Sequence, residues 1–139
     1  MAGRFGAALV GVLGVLLVLT VPAAPASATP QLDDCLSKLS SIAEDQVRER
    51  TDALLPCVSN SCVRLLREVG TDANLEVLVR CMHSARERAD LPDGHQTALA
   101  AGIDKARRCF APVVAGKITE AGEAEVAAGV QQCWAQALA

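Results

Sequence analysis

Residues 54–69 read LLPCVSNSCVRLLREV, and the interpretation of this stretch decides what kind of molecule the chain forms. Cys62, Leu65, Leu66 and Val69 recur at three- and four-residue steps, which places them on one face of an α-helix. Gly70 follows at once, and glycine is the residue that most readily closes a helix in a left-handed conformation. Upstream, Pro56 lacks a backbone donor and disfavours helical geometry in the residue before it. A short helical turn over Asp52 to Leu55 is therefore expected to end there, with Thr51-Asp52 as its cap. Ser59-Asn60-Ser61 then reads as a turn and N-cap cluster for the next helix. The stretch predicts a helix-turn-helix step with Cys57 and Cys62 on either side of the turn.

The same period continues outward in both directions. Leu32, Cys35, Leu36, Leu39, Ile42, Ala43 and Val47 share one face, predicting a first helix from about residue 31 to the low fifties. Beyond Gly70, Thr71 and Asp72 are candidate caps for a helix striped by Leu75, Leu78, Val79, Met82, Ala85 and Ala89. Leu91-Pro92-Asp93-Gly94 is a turn, and Asp93 is placed to cap a fourth helix carrying Leu99, Ile103, Ala106 and Phe110. Pro112 is expected to end that helix, and Thr119 to cap a last one bearing Val126, Val130, Cys133, Trp134, Ala137 and Leu138. No run shows strand alternation. The expected fold is all-α: about five short helices in one compact, disulfide-stapled bundle covering 29–139.

The first 28 residues have a different character. Arg4 is their one charge, Ala7 to Val21 form an unbroken apolar or small-residue run, and Pro22 and Pro25 lead to Ala26-Ser27-Ala28. A basic start, an apolar middle and a small-residue exit are the parts of a secretory signal, with cleavage expected after Ala28. A membrane anchor fits less well, because the run breaks at Pro22 without a basic cluster behind it. The protein is expected to be secreted and extracellular, and not membrane-spanning once the signal is removed.

Cys35, Cys57, Cys62, Cys81, Cys109 and Cys133 all follow the signal. An even number of cysteines in a short chain routed to an oxidising compartment reads as three disulfides. Zinc competes poorly, because only Cys57 and Cys62 are close in sequence and no second close pair follows. If neighbouring helices simply alternate up and down, Cys35 lies at the same end of the bundle as Cys109. The expected pairing is then Cys35–Cys109, with Cys57 and Cys62 taking Cys81 and Cys133.

A search for catalytic chemistry returns little. The two histidines, His83 and His95, lack the neighbours of a metal-binding helix motif. Cys81 and His83 are two residues apart, which turns them to different sides of a helix. Arg48-Glu49-Arg50 and Arg86-Glu87-Arg88 read as solvated faces with intrahelical pairs. No phosphate loop, nucleophile elbow or calcium loop is present, and neither an enzymatic activity nor a cofactor or metal is expected.

The chain carries 13 Lys and Arg against 16 Asp and Glu, a net charge of −3, and loss of Arg4 makes it more acidic. That balance excludes a basic footprint for nucleic acid or for an anionic membrane. Aromatics after the signal are limited to Phe110 and Trp134, too few for a base-stacking surface. Both follow a cysteine and read first as core packing beside a disulfide. The candidate walls of an apolar pocket are Leu78, Met82, Leu99, Ile103, Phe110, Val130 and Trp134. An interior of this composition suits an aliphatic guest.

The C-x4-C step and amphipathic helix of residues 54–69, with the six-cysteine count, resemble the corresponding step in oomycete elicitins and in tick microplusins. Insect odorant-binding proteins are similar in their six-cysteine helical plan, with a different close pair. Elicitins carry sterols, and microplusins are antimicrobial metal binders that use a histidine-rich trap, which this chain lacks. The resemblance implies a secreted helical binding protein and assigns no individual binding residue. Two functions follow as expectations: a carrier of an apolar small molecule such as a lipid or sterol, or a secreted defence, venom or effector protein that engages a protein or microbial surface.

Overall fold

The 23 residues Val47–Val69 form one continuous helix in place of the expected helix-turn-helix step. The computed structural model describes residues 30–139, so the segment read as a secretory signal lies outside the described residues. Six helices are present among them: α1 Pro30–Leu39, α2 Val47–Val69, α3 Asn74–Glu87, α4 Asp93–Lys105, α5 Arg107–Val113 and α6 Glu123–Leu138. No strand is present among the described residues, which bears out the all-α, disulfide-stapled fold.

Burial explains why α2 does not break. Leu54, Leu55, Cys57, Val58, Ser59, Ser61, Cys62, Val63 and Leu66 are all buried, so the helix is enclosed on nearly every side. Pro56 sits inside it and forfeits one bond, the one its missing N–H would make to the Asp52 carbonyl four residues back. Asp52 lies on the exposed side of the helix, where water meets that loss cheaply. Ser59 and Ser61, read as cap residues, are instead small side chains packed in the interior. Tertiary contact outweighs a local capping preference worth about 1 kcal/mol. Gly70 closes the helix as expected, at φ 57°, with its N–H donating to the Leu66 carbonyl at 2.9 Å.

The helix before it is shorter than expected. α1 ends at Leu39, where Ser40 and Ser41 turn their hydroxyls back to the carbonyls of Ser37 and Lys38, each at 2.6 Å. Residues 93–113 also divide in two, because Ala106 ends α4 and opens α5. Pro112 lies within the last turn of α5 rather than beyond it. Thr71 and Thr119 accept bonds from the N–H groups of Ala73 and Gly122, turns that precede α3 and α6.

α2 packs against α1, α3 and α6, while α4 bridges α3 and α6. The crossing of α4 and α6 depends on Gly102, where a Cβ atom would fall 2.6 Å from Leu138 Cδ2 and 3.3 Å from Trp134 Nε1. Trp134 is fully buried there, and its indole N–H donates to the Leu99 carbonyl at 3.2 Å. On the other flank, Arg64 and Arg67 of α2 both reach Glu123 in the first turn of α6, where a carboxylate also suits the helix dipole. No described helix is long and apolar enough to cross a membrane.

Two further expectations are corrected. Arg50 belongs to no solvated face: it is buried, and its guanidinium donates to Ile42 O through Nε (2.9 Å) and Nη2 (2.6 Å) and to Asp90 O through Nη1 (3.0 Å). One side chain thus fastens the α1–α2 and α3–α4 connections to the start of α2, a role that needs a fork of donors. The disulfides are Cys35–Cys57, Cys62–Cys81 and Cys109–Cys133, so Cys35 does not pair with Cys109, nor Cys57 with Cys81 or Cys133. Because α2 is continuous, Cys57 and Cys62 lie mid-helix, roughly 140° apart around it at about 100° per residue. Cys57 therefore meets α1 and Cys62 meets α3; only the Cys62–Cys81 partnership matches the expected set.

Partial reduction, stepwise alkylation and peptide mapping should return these three linkages and no bond between Cys57 and Cys62. Arg50→Met should lower unfolding free energy by about 2–3 kcal/mol in urea titrations, since hydrogen bonds from a charged donor are lost. Arg50→Lys should recover little of it; a variant as stable as the wild type would contradict the bridging role.

Candidate ligand groove between α1, α2 and α3

Val77, Arg80, Cys81, Ser84 and Ala85 of α3, with Arg88 just past its end, follow one another at helical spacing and form a second stripe beside the core-facing one. α1 packs on α2 rather than on α3. The space between α1 and this stripe is a groove of about 510 Å³, which Leu32 and Asp33 enter from α1 and Leu65 from α2. Leu32 and Ala85 are buried, and Leu65, Val77 and Cys81 are half-buried, so the floor is aliphatic apart from one sulfur. Asp33, Arg80, Ser84 and Arg88 are exposed at its rim.

Covalent and ionic ties set the width of the groove. The Cys62–Cys81 disulfide, with Cα atoms 5.7 Å apart, joins α2 to α3 beneath the floor. Cys35–Cys57 fixes α1 to α2 in the same way. Across the top, Arg88 pairs with Asp33 and links α3 to α1. Arg80, by contrast, has no ion-pair or hydrogen-bond partner among the described residues.

The seven residues expected to wall an apolar pocket are brought together in the buried core. Leu78, Met82, Leu99, Ile103, Phe110, Val130 and Trp134 are each exposed by 2% or less and belong to one cluster. None of them lines the groove. Sequence reasoning took the strongest stripe of α3, Leu78 and Met82, and passed over the weaker one containing Val77. Two apolar stripes on one helix were the available signal.

A second concavity, of about 540 Å³, lies between the end of α2, the start of α3 and residues 111–118. Its buried polar group, Asn74, is committed through one end only: Nδ2 donates to Val114 O at 2.9 Å and Gly116 O at 3.0 Å, while the buried Oδ1 has no hydrogen-bond partner among the described residues. That side chain anchors the loop in which Gly116 adopts φ 81°.

Of the two histidines, His95 is exposed and His83 is engaged at both ring nitrogens. His83 Nε2 meets Asp104 Oδ1 at 2.9 Å, and Arg86 Nε donates to His83 Nδ1 at 3.3 Å. With Nδ1 accepting, Nε2 carries the proton and donates to the carboxylate, so neither ring nitrogen is left over. Among the described residues, no group of three or more His, Cys, Asp or Glu is placed to hold a metal ion. The chain matches no family model, no curated protein and no solved structure.

Proposed function

We propose that the protein is a secreted binding protein that carries a small apolar molecule, such as a long-chain lipid or a sterol, in the groove between α1, α2 and α3, and that it performs no catalysis. The observation that carries this reading is the aliphatic floor of Leu32, Leu65, Val77 and Ala85, open to solvent on a seam locked by two disulfides. A concavity of about 510 Å³ falls within the usual range for small-molecule sites, roughly 300–1,000 Å³. Because the walls are covalently fixed, little ordering cost is added when a ligand enters. Three disulfides also accord with an oxidising, extracellular setting.

Calorimetric titration of the secreted protein with decanol, hexadecanol and cholesterol tests the reading. At least one is expected to bind with micromolar affinity. Ser84 is an exposed rim residue, so Ser84→Trp should fill the mouth and lower that affinity about tenfold or more, while thermal unfolding stays unchanged. Absence of binding by all three would overturn the carrier function and favour a protein target.

A further inference from the structure

Three charged side chains border the groove, and they do not cancel. Asp33 is paired with Arg88 across the top. Arg80 lies on the same stripe, one turn before Ser84, exposed and unpaired among the described residues. The groove therefore presents one uncompensated positive charge beside an aliphatic floor, in a chain whose net charge is −3. From these observations we infer that the ligand is an anionic single-chain amphiphile, a free fatty acid, whose carboxylate is held by Arg80 while its tail lies over Leu32, Leu65, Val77 and Ala85. This rests on the carrier reading above and specifies the ligand class.

The chemistry fits at each end. A guanidinium takes a carboxylate through two parallel N–H donors, which orients the head group as well as attracting it. Arg80 stands at the rim, where the head group keeps part of its hydration, and the half-buried aliphatic residues lie below it. The Asp33–Arg88 pair keeps the second arginine occupied, so the site offers charge for one head group. An anionic membrane surface is the weaker alternative, because such attraction needs several clustered basic residues, and the other cation of this groove is already neutralised.

Decanoate and decanol have the same chain length and differ at the head group, so they separate this inference from the carrier reading. Titrated into the full secreted protein, decanoate should bind about threefold to fivefold more tightly than decanol, the scale of an exposed ion pair. Arg80→Gln should abolish that preference and leave decanol affinity unchanged, and Arg80→Glu should reverse it. Raised salt should weaken decanoate alone. Equal binding of the two ligands, unaltered in Arg80→Gln, would overturn the role of Arg80 while the carrier function stands. Failure of both ligands to bind would overturn the fatty-acid assignment, and the carrier function falls with it only if hexadecanol and cholesterol fail as well. Binding to phosphatidylglycerol vesicles in the absence of decanoate binding would likewise overturn it, showing a membrane surface as the target.

Discussion

The enclosure of α2 is the constraint on which the rest of the molecule depends. A helix buried on nearly all sides must be served by partners on each of them, and α1, α3 and α6 take those places. Its two cysteines leave from different sides, so one bond fixes α1 and the other fixes α3. A chain of this size has little apolar area to spare, and cross-links over loops of about 20 residues stabilise it by roughly 3 kcal/mol each. The third bond secures α5 to α6 at the far side of the bundle.

Much of this was legible in the residues, and the exceptions share a cause. The helical period, the closure at Gly70, and the core placement of Phe110 and Trp134 all follow from local pattern, and local pattern survived. Pro56 and the Ser59-Asn60-Ser61 cluster misled because their turn chemistry is a modest local preference, overruled by the burial of the residues around them. Arg50 misled for a similar reason: nothing in Arg48-Glu49-Arg50 shows that the Ile42 carbonyl of the preceding connection and the Asp90 carbonyl of a distant one converge on the first turns of α2. The expected Cys35–Cys109 bond came from treating the helices as uniform rods. Once α2 is continuous, Cys57 faces α1 directly, and the nearer partner takes Cys35.

The groove is a consequence of the same arrangement. α1 is ten residues long and lies on α2, leaving the second stripe of α3 uncovered. That stripe is only half apolar, interleaved with Arg80, Ser84 and Arg88, which is why periodicity alone did not single it out. A sequence reading finds strong faces, and strong faces become core. A binding surface must be apolar enough to hold a ligand and polar enough to remain open to water, so its pattern is weaker by construction.

Methyl-resolved NMR during a decanol titration places the ligand most directly. If the disulfide-locked seam is the binding site, shifts should concentrate on Leu32, Leu65, Val77 and Ala85, while Ile103, Val130 and the Trp134 indole stay unmoved. Shifts centred on Ile103, Val130 and Trp134, with the groove methyls silent, would contradict it and show that the core opens to admit the guest.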